Sequence, residues 1–308
     1  MELRQIHYFT CLYEEGSVTR AAKRLNVVQP AVSTQIGKLE DEFGQILFDR
    51  TPRGMVPTQA GHEIYRLLKP VLQDLMDARQ RIIERTGRIT GSVIFGAVSS
   101  ISAGVLSGTL IGYVEAYPDV SVTAVGGYNN DLHEAVQSGA LDFAFINQVP
   151  SEFQATARIV LEEEFFLIAA PAATGEARPP IAIGDLAAHK LVLPSKRHAL
   201  RMTIDRAAAN DHFPLVPRLE LDELIVVKDL VQRSDWVTIL PATAVHGDLQ
   251  DRRLGARRIV GARLRRQLAC TVTPRRPLTA AARLLIDRLS ANLAEAANST
   301  LRVVVGHD

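Results

Sequence analysis

The segment Ser17–Phe43, SVTRAAKRLNVVQPAVSTQIGKLEDEF, constrains this chain most, because it spells two short helices joined by a tight turn. Ser17 follows the break at Gly16 and can cap free backbone N–H groups. Ala21, Ala22 and Leu25 then lie on one face of the helix it starts. Asn26 and Val27 make the turn. The second helix opens at Pro30, whose fixed φ suits the first helical position, and Val32, Ile36, Leu39 and Phe43 recur at spacings that turn all four inward. The opposite face carries Ser33, Thr34 and Lys38, with Gln29 and Pro30 at its N-terminal end. Compact polar side chains there can bond base edges or phosphates in a major groove. An ordinary packed helix pair is the competing reading.

The residues after Phe43 favour the groove reader. Leu47–Thr51 reads as a strand, Pro52-Arg53-Gly54 as a turn and Met55–Pro57 as a return strand, which makes a winged helix-turn-helix. Arg50 and Arg53 sit where a wing would follow the backbone or enter a minor groove. Residues 1 to about 87 thus resemble the N-terminal module of LysR-type transcriptional regulators. The resemblance rests on MELRQIHYF, the Ser17–Leu25 helix with Ala21-Ala22, and Gln29-Pro30-Ala31-Val32-Ser33 followed by Ile36 and Leu39-Glu40. Leu47-Phe48, Arg50 and Thr58-x-Ala60-Gly61 complete it. It implies DNA contacts from Gln29, Pro30, Ser33 and Thr34, with Arg53 on the wing. Many members have Arg where this chain has Thr34, and a larger residue where it has Gly37, so a phosphate or guanine contact can be missing here.

Charge gives this reading no help. Within residues 1–57 the basic set Arg4, Arg20, Lys23, Arg24, Lys38, Arg50 and Arg53 is matched by Glu2, Glu14, Glu15, Glu40, Asp41, Glu42 and Asp49, and the whole chain is +1. A neutral module releases few counterions and should need several copies on one site. The segment after it can supply them. From Thr58, a candidate N-cap, to about Thr86 a helical pattern places Ile64, Leu68, Val71, Leu75, Ala78 and Ile82 on a coiled-coil seam, with Pro70 as a bend. A packed helix in a monomeric bundle is the competing reading; the length of the segment and the resemblance favour a homodimer through the linker helix and a homotetramer.

Thr86–Gly91, TGRITG, marks the boundary to an α/β half. Strand-like runs at Val93–Val98, Val120–Gly126 and Phe143–Ile146 alternate with helical ones, which implies a mostly parallel sheet. Further strands are expected at Phe165–Ala170, Leu191–Leu193, Leu219–Leu221, Val237–Leu240, Arg258–Val260 and Leu268–Val272, and a closing helix from Thr279 to about Ala297. Gly139-Ala140-Leu141-Asp142-Phe143 and Val237-Thr238-Ile239-Leu240-Pro241 resemble the effector-binding domain of the same regulators, a two-lobed, periplasmic-binding-protein-like α/β fold. The expected organisation is residues 1–57 as the winged module, 58–87 as linker and 88–308 as effector domain. Lobe one is expected over about 91–160 and 267–308, and lobe two over about 161–266.

A ligand in such a fold sits beyond strand carboxyl ends, between the lobes. Val98-Ser99-Ser100-Ile101-Ser102 leads from a strand into a helix, so hydroxyls and N–H groups converge and favour an anion. Asn129, Asn147, His198 and Thr203 are the other candidate contacts, beside the more ordinary roles of turn residues and surface histidines. The basic run Arg252, Arg253, Arg257, Arg258, Arg263, Arg265 and Arg266 reads as the exposed face of a strand and its flanks rather than a DNA patch.

With 47% hydrophobic and 22% charged residues the composition is that of a folded protein with no membrane-length apolar run, so a cytoplasmic location is expected. Cys11 and Cys270 fall in separate halves, which argues against a disulfide or a two-cysteine switch. The scattered histidines form no metal motif, and no nucleophile elbow or nucleotide fingerprint occurs. No catalytic residue, cofactor or metal is therefore expected. A solute-binding module would explain only the second half. The expectation is a regulator on an interrupted palindrome of double-stranded DNA, with half-sites ~34 Å or a multiple apart, whose small anionic effector alters subunit orientation and access of RNA polymerase.

Overall fold

The computed structural model describes residues 1–52, 54–84, 88–147, 157–171, 179–210, 215–261, 264–273 and 277–305. Two compact units divide it, one over Met1–Arg88 with Ser138–Ala140 and one built from Ile89–Gln137 and Leu141–Asp308.

The first unit opens with α1 (Leu3–Glu15), α2 (Val18–Leu25) and α3 (Gln29–Phe43) around Phe9, Leu12, Ala21, Val32, Ile36 and Leu39. Ser17 accepts the Arg20 N–H as N-cap of α2, and Gly16 and Asn26 close α1 and α2 in the left-handed region. Helix α3 begins at Gln29, so Pro30 is its second residue. Phe43 is 38% exposed rather than inward, since Gly44 ends the helix beside it and the chain turns away. Strands β1 (Phe48–Thr51) and β2 (Gly54–Pro57) pair antiparallel, and the Met55 N–H donates to the Gly16 carbonyl at 2.9 Å. Gly54 has φ +126°, and a Cβ there would lie 2.4 Å from the Gly16 oxygen, so only glycine fits this docking.

Thr58 caps α4 (Gln59–Glu84), accepting the Gly61 N–H at 3.1 Å. The first turns of α4 are fastened to α1: Tyr65 stacks on Tyr13 at 3.7 Å, and Glu14 accepts from Tyr65, Lys69 and Arg24. Burial would push the Glu14 carboxyl up, but those three donors outweigh it and hold it below the usual carboxylate value. Farther along, Val71, Leu75 and Ile82 are exposed, with Pro70 inside the helix.

The second unit has two cores. One gathers β3 (Gly91–Ala97), β4 (Val120–Gly126) and β5 (Phe143–Ile146) against α6 (Leu106–Ala116), α7 (Asn129–Gln137) and α11 (Ala280–Val305), with a short helix α5 (Ser99–Ser102) after β3. The other gathers β8 (Lys190–Leu193), β10 (Trp236–Pro241) and β11 (Gly255–Val260) against α8 (Ala199–Asn210) and α9 (Leu224–Gln232). Strand β7 (Ile181–Ala182) pairs with β11, β9 (Leu219–Glu220) pairs with β8, and α10 (Ala242–Gln250) follows β10. Strand β6 (Ala157–Ala169) runs through both cores of one continuous sheet: Ala157–Glu164 pairs with β12 (Arg265–Val272), and Phe165–Ala169 with β10 and β11. Because β6 and β12 run antiparallel to their neighbours, the sheet is mixed rather than mostly parallel.

Candidate nucleic-acid interface and ligand cleft

In the first unit, Gln29, Pro30, Ser33 and Arg50 line one open concavity with Thr19 and Lys23 of α2, Val28, and Met55 of the wing. Thr34 and Lys38 continue the exposed stripe of α3, one and two turns beyond Pro30. Arg53 lies outside the described residues. Thr19, Lys23 and Val28 were not singled out by sequence. Val28 is an apolar residue 70% exposed at the N-cap of α3, where the absence of a core partner was its only signal. The surface offers short polar groups and three flanking cations, Lys23 on α2, Lys38 on α3 and Arg50 on β1.

In the second unit, a cleft of about 510 Å³ is lined by Ser99, Ser102, Asn129, Asn147 and His198 together with Tyr128, Asp222, Glu223, Leu224 and Ile225. Asn129 Oδ1 accepts the Asn147 N–H at 3.0 Å, which ties the start of α7 to the residue that follows β5. The Leu200 N–H donates to His198 Nδ1 at 3.2 Å, selecting the tautomer with its proton on Nε2. Burial lowers the His198 pKa, the Asp222 carboxylate opposes that shift, and Arg266 adds to it, so the ring favours its neutral form. Asp222 accepts the Ser195 N–H and hydroxyl at 2.8 and 2.9 Å. Thr203 is not among the lining residues; its hydroxyl donates back to the Ala199 carbonyl, one turn earlier on α8.

Ser100 is buried, and its hydroxyl accepts from Arg266 Nη1 at 2.9 Å. The same nitrogen donates to Asn147 Oδ1 at 2.6 Å, Nη2 donates to the Thr243 hydroxyl, and Nε meets Glu163 at 2.7 Å. Glu163 in turn accepts the Thr243 N–H and hydroxyl. One guanidinium thus ties α5 and β5 to the start of α10. Sequence reading placed Arg266 on an exposed face; it is 7% exposed, because consecutive strand residues point to opposite sides and Arg265 takes the solvent side. The rest of the basic run is largely spent within the chain: Arg253 on Asp248 and Asp251, Arg258 on Glu164, Arg265 on Glu162 and Glu164, and Arg257 on the Pro179 carbonyl. Arg263 lies outside the described residues. The facing acidic triplet Glu162-Glu163-Glu164 was the signal that could have exposed this pairing.

Two family models match this sequence and architecture: a bacterial regulatory helix-turn-helix protein of the lysR family over residues 3–62, and the LysR substrate binding domain over residues 86–294. The chain belongs to the LysR family. This LysR chain is 31% identical over 243 residues to the transcriptional dual regulator GltC of Bacillus subtilis, covering 78% of itself and 81% of that relative. It is 26% identical over 245 residues to the nitrogen assimilation regulatory protein nac of Escherichia coli, covering 79% of each. Its fold matches full-length OxyR of Pseudomonas aeruginosa at a TM-score of 0.68, with 22% identity and coverage of 95% and 97%. CbnR solved full-length with its target DNA gives 0.64, with 20% identity and coverage of 96% and 100%. The LysR chain is a DNA-binding transcriptional regulator with an effector-binding domain, not an enzyme.

Proposed function

We propose that this regulator reads an interrupted palindrome through α3 and the wing, as a dimer joined through α4 and further paired into a tetramer. The observation that carries the DNA reading is the single concavity shared by Gln29, Pro30, Ser33 and Arg50, with Thr34 and Lys38 on the same stripe. Gln29, Ser33 and Thr34 supply base-edge contacts, and Lys38, Arg50 and Arg53 supply phosphate contacts. CbnR is a relative solved on its target DNA, which supports the mode. The exposed Val71, Leu75 and Ile82 on α4 support pairing of copies, because a soluble helix buries such a stripe against another.

The effector is a small organic acid held between the lobes. Its anionic end meets hydroxyl and amide groups at Ser99, Ser102, Asn129 and Asn147 and the Nε2–H of neutral His198, with the Arg266 guanidinium behind Ser100. Asp222 and Glu223, which also line the cleft, accept from a donor-bearing part of the same molecule. Occupancy changes the relation of the lobes, hence the subunit arrangement and the access of polymerase in the cytoplasm, to the extent that the two arrangements bind effector unequally.

Capture of fragmented source DNA by the purified full-length protein tests the reading. Sharp retained peaks with paired half-sites are expected; retention equal to input at moderate salt overturns it. Calorimetry against carboxylate, sulfonate and amino-acid panels tests the effector class, and binding of cations or neutral molecules alone would sink the anionic assignment.

A further inference from the structure

Below the ligand cleft lies a second chamber of about 20 Å³. Its walls are mostly apolar, from Leu200, Leu221, Val227 and Leu240, and Ser99, His198 and Asp222 line both spaces. Thr238 of β10 also lines it. This residue is completely buried, and its hydroxyl is among the few buried side-chain polar atoms with no hydrogen-bond partner among the described residues. Interiors rarely leave a hydroxyl so, because its lost solvation is not recovered. A valine of nearly the same size would fill that position without the cost. The chamber is large enough for one group: ~10–15 Å³ accommodates a water or a hydroxyl, and a ring does not fit.

We propose that this chamber is a specificity subsite that takes a terminal hydroxyl of the acid effector, with Thr238 Oγ1 as its hydrogen-bond partner. The proposal rests on the reading of the cleft as a site for a small organic acid. The larger cleft holds the body of the molecule, and the chamber inspects one end. A methyl group would fit equally well by size but would leave Thr238 unpaired, so discrimination is by polarity rather than volume.

Matched acids in which a terminal hydroxyl replaces a methyl test this: 4-hydroxybutanoate against pentanoate, 5-hydroxypentanoate against hexanoate, and 6-hydroxyhexanoate against heptanoate. Titrated calorimetrically into the full chain, the hydroxy acid of at least one pair should bind roughly tenfold tighter. Thr238→Val should abolish that preference while changing the affinity of the methyl partner less than about twofold. Without ligand, the variant's Tm should rise by about 2 °C, since an unpaired buried hydroxyl has been removed. A preference that persists in Thr238→Val overturns the proposal. So does a lowered Tm, which would mean that the hydroxyl already has a partner such as a bound water. If no acid binds the native chain, the effector reading falls and takes this one with it; if acids bind without a hydroxyl preference, this one falls alone.

Discussion

Arg266 and Glu163 are register partners on β12 and β6, and their charged groups meet at 2.6 Å with the carboxylate fully buried and the guanidinium nearly so. The guanidinium also lies 5.9 Å from the Phe165 ring centroid, on its face. Because every arm of Arg266 is engaged, the pair is a cross-brace whose value depends on both members. Replacing one leaves the other charged, buried and unmatched, so Glu163→Gln and Arg266→Met are each expected to cost about 3–5 kcal/mol in denaturant unfolding. The double variant Glu163→Leu with Arg266→Met should recover much of the loss. Additive losses in the double variant would mean that the two act separately.

The wing depends on a single atom-to-atom approach. Gly54→Ala puts a methyl where the Gly16 carbonyl sits and forces φ +126° on an L residue. A loss of about 2 kcal/mol and weaker DNA binding are expected together, read by thermal unfolding and by a mobility-shift titration. Native stability in this variant would show that the wing can dock another way.

Roles on the DNA face separate by salt. Ser33→Ala should relax sequence preference, costing about 1–2 kcal/mol on the preferred site and little on others. Arg50→Ala should weaken all sequences alike and reduce the slope of log affinity against log salt by about one. Equal losses on specific and random DNA for Ser33→Ala would remove it from base recognition.

His198 gives the effector domain a pH signature. Its pKa is lowered from 6.5 in the folded state, so the unfolded chain binds the proton more readily. The stability this contributes is therefore complete above about pH 6.5, falls as pH drops toward the folded pKa, and levels off below it. Tm measured from pH 8 to 5 should fall less steeply in His198→Gln than in the native chain. Parallel curves would show that His198 does not contribute.

How much of this was legible in the sequence depended on whether the deciding interaction was local. The α3 stripe could be read because helical spacing and a proline fix its faces within a few turns, and β4 and β5 because short apolar runs between turn residues have one outcome. The first half of β6 was missed: Glu162-Glu163-Glu164 does not look like a strand until Arg265 and Arg266, a hundred residues later, pair with it. Arg266 was misjudged for the same reason, since its burial comes from a partner distant in sequence. Phe43 was misjudged because periodicity sets direction around a helix but not how far the core extends along it. Leu224 and Ile225 of the cleft, and Thr238 beneath it, had no sequence signal distinct from ordinary core.

Strand β6 belongs to both halves of the effector domain, and this limits what a ligand can do there. Two bodies joined by flexible cord can swing apart freely; two bodies cut from one plate can only be wrung. Pulling the lobes apart would break ladder hydrogen bonds, whereas twisting them strains each peptide slightly, most easily at the register shift between Leu268 and Ala269. Any rearrangement of the lobes that keeps these ladders is therefore a small torque on stiff material.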